Sequence, residues 1–216
     1  MPTGLERGCF ITIEGIEGVG KSTQISAIVD TLRTLGKKVI LTREPGGTEL
    51  GEAIRHLLLS TEYPPMNQRT ELLLMFAARA EHIYARIIPA LDEGCWVVSD
   101  RFTDASYAYQ GGGRNIALDK IMGLENWVQE GFTPDFTFLL DAPVEVGLAR
   151  AKNRGPQDRI EQEDLDFFQR VRHLYLARAS AEPERFRIID ASNNETQVKQ
   201  DVLTQLDEII KDWSKP

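Results

Sequence analysis

The segment Gly15-Ile16-Glu17-Gly18-Val19-Gly20-Lys21-Ser22 limits this chain more than any other stretch does. It has the spacing G-x-x-x-x-G-K-[ST], follows the apolar run Cys9–Glu14, and opens the helical pattern Lys21–Leu35. In that strand-to-helix setting the glycines let the backbone turn tightly and aim N–H groups at phosphate oxygens. The helix N-terminus adds partial positive charge to the same spot. Lys21 is placed to reach the β and γ phosphates of a nucleoside triphosphate, and the Ser22 hydroxyl to ligate Mg²⁺. The phosphate loop runs on through Thr23.

Around this loop, short apolar runs alternate with longer helical ones, the pattern of βαβ units about a parallel sheet. The strands are expected at Cys9–Glu14, Val39–Thr42, Trp96–Ser99, Phe136–Leu140 and Phe186–Ile189, nearly continuous apolar runs suited to burial on both faces. Helices are expected at Lys21–Leu35, Glu49–Leu59, Arg69–Glu93, Ala117–Glu130, Val144–Asn153, Asp164–Ala181 and Glu195–Trp213, with Pro89 breaking or kinking the third. Two glycine-bearing segments flanked by arginines, Gln110–Arg114 and Asn153–Gln157, are expected to be mobile loops. The fold expected is α/β, a three-layer P-loop architecture with a five-stranded parallel sheet, in a single domain spanning residues 1–216.

Composition narrows the partners. A net charge of −8 with no basic run argues against a nucleic-acid scaffold. No apolar run of about 18 residues is available to span a membrane, and Met1–Gly8 lacks an apolar signal core, so a cytoplasmic location is expected. Cys9 and Cys95 each open a strand-like run and read as small buried thiols. His56, His82 and His173 stand in no motif and read as structural or surface residues.

A second anion site is expected where Val97-Val98-Ser99 runs into Asp100-Arg101. A carboxylate at the carboxyl end of a strand beside the phosphate loop suits a Mg²⁺-organising acid, and Arg101 can hold a phosphate through two parallel hydrogen bonds. No N-K-x-D guanine-reading motif accompanies the loop, which argues against a GTPase. Two other readings stay open at this point. One is a deoxynucleoside kinase, which needs a carboxylate base for a hydroxyl acceptor; the other is a nucleotide-binding regulatory module without turnover.

The blocks GIEGVGKST, LTREPGGTELGEAIR, LLLMFAARAEH, VVSDRFTDASYAYQGGGR and NRGPQDRIEQEDLDFF occur in that order. Together they resemble bacterial thymidylate kinases over essentially the whole chain. The resemblance implies transfer of the ATP γ-phosphoryl group to thymidine 5′-monophosphate (dTMP), with Mg²⁺, in a homodimer. It implies that Glu17 lies near the acceptor sugar and the metal, that Glu44 and Arg55 line the acceptor pocket, and that Arg101 holds the monophosphate. It further implies that Arg79 bonds a pyrimidine carbonyl and that Ser106 and Gln110 contact the ring. The family commonly has a base-stacking aromatic four residues before that arginine, where this chain has Met75. Phe76, three residues before Arg79 and on its helical face, is the alternative ring contact. Some relatives carry an arginine directly after the loop's acidic residue; this chain has Gly18 there. The resemblance therefore places the catalytic arginine in a mobile lid at about 150–163, as Arg154 or Arg159.

Overall fold

Among the described residues, five short strands, β1 (Phe10–Glu14), β2 (Val39–Arg43), β3 (Trp96–Asp100), β4 (Phe136–Asp141) and β5 (Phe186–Asp190), are joined through helices. All four strand pairings are parallel. In the computed structural model, which describes residues 7–152 and 157–213, the order across the sheet is β2-β3-β1-β4-β5. The central strand β1 is buried at every position, whereas Leu41 and Ile188 on the edge strands are about half exposed. Because β1 sits between β3 and β4, the chain leaves it toward one half of the sheet and later crosses to the other. Such a switch point opens a crevice beyond the carboxyl ends of the strands, where ligands bind in open α/β sheets.

The helices are α1 (Lys21–Thr34), α2 (Glu49–Leu59), α3 (Gln68–His82), α4 (Ile88–Asp92), α5 (Thr103–Ser106), α6 (Leu118–Gln129), α7 (Val144–Lys152), α8 (Leu165–Ala181) and α9 (Glu195–Trp213). They cover both sheet faces. Ile11, Ile13 and Val98 join a large core with residues of α1, α8 and α9, while Phe10 and Val97 face a smaller one with Ile83, Ile87 and Leu91. Side-chain caps fix four helix starts among the described residues: Thr48 accepts from the Gly51 N–H, Asn67 from Arg69, Asp164 from Phe167 and Asn194 from Gln197.

Two expectations are corrected here. Pro89 does not break its rod: α3 passes through a π-helical turn, Ile83–Ile87, directly into α4. That wider turn, in which the Ile88 N–H donates to the Ile83 carbonyl, absorbs a proline that could not donate within an α-helix. The triple glycine is also not a mobile loop, since Tyr107–Gly113 forms a largely buried π-helical segment continuing α5. Its glycines serve close packing. A Cβ on Gly112 would lie 2.7 Å from the Arg170 carbonyl oxygen, and one on Gly113 would lie 2.4 Å from the Phe167 ring. Both obstacles belong to α8, more than 50 residues further along the chain, and Arg170 also bonds to the Gly112 and Gly113 carbonyls.

Candidate active site

The phosphate loop turns directly out of β1. Gly18 adopts φ +77°, and a Cβ there would lie 1.8 Å from the Gly147 carbonyl oxygen in α7. No larger side chain fits, so an arginine at this position is excluded by backbone packing as well as by sequence. Lys21 folds back over the loop, its Nζ 3.4 Å from the carbonyl oxygens of Gly15 and Ile16. Burial, then the neighbouring Arg101 charge, lowers its pKa from the usual lysine value. It is a cation poorly paired with protein and facing the cavity, a cost that an arriving polyphosphate removes.

Opposite the loop, β3 ends in Asp100 and the chain passes into Arg101 with φ +71°, in the left-handed region. A non-glycine residue held there costs free energy and persists where its surroundings fix it. The surroundings are explicit. Arg101 Nη1 donates to the Gly15 carbonyl at 2.8 Å and to the Tyr175 hydroxyl at 3.0 Å, and Nη2 donates to Glu17 Oε1 at 2.9 Å. Tyr109 donates to both Glu17 oxygens, and its ring lies under the Arg101 guanidinium. The Tyr175 hydroxyl in turn donates to Glu14, the last residue of β1, whose other oxygen accepts from the Phe102 N–H. Burial, then the Asp104 charge, pushes the Glu14 pKa up to about 8 against the opposing pull of Arg101. Asp100 Oδ1 is buried without a hydrogen-bond partner among the described residues.

The floor of the cavity is a buried polar chain. His82, fully buried, bridges Thr42 Oγ1 at 2.6 Å and Glu44 Oε1 at 3.0 Å. Glu44 Oε2 accepts from Arg79 Nε at 2.7 Å, and Arg79 Nη2 donates to Ser106 Oγ and to the Phe102 carbonyl. Its Nη1 is buried and has no hydrogen-bond partner among the described residues. Arg55 donates to the Pro45 carbonyl on the same wall.

The structure thus brings most of the residues singled out from sequence around one cavity. Gly18, Gly20, Lys21, Ser22, Glu17, Asp100 and Arg101 line one end, and Glu44, Arg55, Arg79, Ser106 and Gln110 the other. Behind the loop a second cavity is lined by Val19, Thr23, Gln24, Arg150 and Asn193. Two residues lie elsewhere. Phe76 is buried beneath the Arg79 guanidinium, 4.6 Å from ring centre to carbon, and Met75 lines the cavity in its place. Arg159 points away, donating to the Leu58 carbonyl and to Glu71. Arg154 lies outside the described residues.

Sequence reasoning passed over Tyr109 and Tyr175, and read His82 only as a structural or surface residue, without its place in the cavity floor. Tyr109 had a signal available, since it stands three residues after Ser106 and so shares its helical face. Tyr175 had none: it meets Glu14 across 161 positions of chain.

A phosphate loop facing an arginine-walled pocket, across the carboxyl edge of a β2-β3-β1-β4-β5 parallel sheet, defines a P-loop phosphotransferase with room for a second anion. The family model for thymidylate kinase matches residues 13–202. A thymidylate kinase of Ruthia magnifica is 58% identical over 92% of this chain and 97% of its own length. That of Methylococcus capsulatus is 54% identical over 94% of this chain and 97% of its own length. The crystal structure of thymidylate kinase from Ehrlichia chaffeensis superposes with a TM-score of 0.77 at 33% identity, covering 93% of this chain and 99% of that one. The chain belongs to the thymidylate kinase family.

Proposed function

We propose that the chain transfers the γ-phosphoryl group of ATP to dTMP, giving thymidine 5′-diphosphate (dTDP) and ADP. One observation carries the reading: a single cavity joins the phosphate loop and Arg101 to the buried floor of Arg79, Ser106 and Gln110. The unpaired Arg79 Nη1 is a donor waiting for a carbonyl oxygen, which a thymine ring supplies. A phosphate monoester has its second pKa near about 6, so the acceptor is already a nucleophile at neutral pH. An acceptor phosphate oxygen attacks the γ phosphorus, the bond to the β–γ bridging oxygen breaks, and ADP leaves with that oxygen. The task left to the protein is to hold two polyanions in line and to stabilise charge on the transferred group. Lys21 and the loop N–H groups hold the donor, and Arg101 holds the acceptor. The cavity behind the loop suits the rest of the donor nucleotide.

Mg²⁺ fits the residues present. The orphaned Asp100 Oδ1 and the Ser22 hydroxyl would hold it, and few protein ligands are needed where substrate phosphates supply the rest. When bound, it would offset the negative charge of the donor's β and γ phosphates. Because Gly18 admits no side chain and Arg159 is committed to Glu71, Arg154 is our assignment for the transition-state arginine.

A deoxynucleoside kinase remains the rival reading. It would need a free carboxylate base; Glu17, within the phosphate loop, is tied by Arg101 and Tyr109, and Asp100 is the acid assigned above to Mg²⁺. Assay of thymidine, dTMP and the other nucleoside monophosphates with ATP separates the two. dTMP is expected to be the best acceptor, and faster turnover of thymidine would overturn the assignment.

We further assign a homodimer and a cytoplasmic location. Leu73, Tyr84, Met122 and Trp127 are exposed on adjoining helices, with Trp127 77% exposed, an apolar face suited to a second copy. Sedimentation of the protein as a monomer at micromolar concentration would remove the dimer. Cys9 and Cys95 are free and buried, which suits a reducing compartment, and no helix among the described residues is long and apolar enough to cross a membrane.

A further inference from the structure

Glu71, in the first turn of α3, is 1% exposed, yet its carboxylate receives four N–H bonds. Gln110 Nε2 donates to Oε1 at 2.8 Å and Arg114 Nε to the same oxygen at 3.3 Å. Arg114 Nη2 donates to Oε2 at 3.2 Å and Arg159 Nη2 at 2.7 Å. Burial alone would raise the Glu71 pKa; the Gln110 amide and the two guanidinium groups outweigh it and hold the group below the usual carboxylate range. Glu71 is therefore ionised, and an ionised carboxylate only accepts hydrogen bonds.

That one-way chemistry settles the Gln110 amide. Its two ends look alike in shape, and only the partner decides which way the group faces. Opposite an acceptor-only group the –NH₂ end must turn to Glu71, which leaves the carbonyl oxygen for the other side. Gln110 is itself 1% exposed and lines the acceptor cavity. On the same wall, Arg79 Nη1 is an unpartnered donor. Between them these two side chains offer one donor and one acceptor. Thymine presents the matching edge, a carbonyl oxygen at position 4 beside an N–H at position 3. Cytosine inverts both, with an –NH₂ at position 4 beside a bare ring nitrogen.

We propose that Glu71, outside the pocket wall, is a specificity-determining positioning residue: by locking the Gln110 amide in one orientation it makes the pocket accept thymine and reject cytosine. The inference rests on the dTMP reading above and adds a residue to it. Arg114 and Arg159 hold the carboxylate in place.

The test is the ratio of kcat/KM for dTMP to that for deoxycytidine 5′-monophosphate (dCMP), measured on the unmutated enzyme and three variants. In Glu71→Gln the partner can donate as well as accept, so Gln110 is free to turn over. The ratio should fall by about tenfold or more, mainly through gain on dCMP, because a site built for one hydrogen-bond polarity no longer has it fixed. Arg114→Gln disturbs the same ion cluster but keeps the acceptor-only carboxylate, so its ratio should stay within about threefold even if both rates drop. Should Glu71→Gln be too unstable to purify, Glu71→Gln/Arg114→Gln removes one unpaired buried cation while still facing Gln110 with an amide, and the same fall is expected. An unchanged ratio in a folded Glu71→Gln or double variant overturns the proposal. An equal collapse in Arg114→Gln does so too, since it would assign the effect to packing. The unmutated enzyme separates the two readings: if it fails to prefer dTMP, the substrate assignment falls and this inference with it. If it prefers dTMP and Glu71→Gln keeps that preference, only this inference falls.

Discussion

Replacing Glu14 with glutamine should change how stability depends on pH, and the size of the change follows from where Glu14 sits. The side chain is fully buried under the phosphate loop, held by the Phe102 N–H and the Tyr175 hydroxyl. Burial first, and the Asp104 charge second, raise its pKa to about 8 from a usual value of 4.5. Between those two pH values the folded protein keeps a proton that the unfolded chain has lost. The contribution is therefore fully present below about pH 4.5 and is lost as pH rises through about 8. A window of about 3.5 pH units, at about 1.4 kcal/mol for each, sets an upper bound of about 5 kcal/mol. Glutamine has the same shape and no proton to lose. Urea denaturation of both proteins at pH values from about 5 to 9 gives the difference directly, and groups titrating alike in both cancel. The parent's stability relative to the variant should fall steadily up to about pH 8 and then level off. A difference that is flat, or that rises with pH as for an ion-paired carboxylate, would refute the reasoning. The functional link is direct: a neutral Glu14 leaves the charges of Lys21 and Arg101 available for phosphate.

Lys21→Ala should lower kcat by an amount worth several kcal/mol while leaving circular dichroism unchanged, since the partly buried side chain lies over the loop and outside the hydrophobic core; near-normal turnover would remove the phosphate-loop assignment. Arg101→Ala should raise the dTMP KM and slow turnover with little change in ATP affinity, because a misplaced acceptor loses its in-line geometry. Collapse of ATP affinity instead would put Arg101 on the donor side. Arg154→Ala should lower kcat by more than about tenfold, roughly 1.4 kcal/mol, with far less effect on acceptor binding. Arg159→Ala is expected to act through Glu71 rather than on the transferred phosphoryl group, and steady-state kinetics on both single variants and the double shows which arginine carries the charge.

What was legible in the sequence is local. The apolar runs, the glycines that end helices and the phosphate loop are each written in ten residues or fewer, and strands and helices follow them closely. Partners far apart in sequence were not legible. The triple glycine looks like a hinge until α8 is seen pressed against it, with Phe167 where a Cβ would stand. Arg159 looks like a free lid cation until Glu71, 88 positions away, is found beside it. Met75 and Phe76 are adjacent on one helix, and only the packing of Phe76 with Leu72, Tyr107 and Ile121 decides which of them faces the cavity. His82 stands in no motif, and its place between Thr42 and Glu44 exists only once β2 and α3 are packed together.

The central claim is that one cavity brings two nucleotides together for direct phosphoryl transfer. ATP labelled in its γ phosphate, incubated with dTMP, Mg²⁺ and the enzyme, tests it most directly. The label is expected in the β phosphate of dTDP, mole for mole with the ADP formed. Label released instead as inorganic phosphate, or passed preferentially to another nucleoside monophosphate, would contradict the account.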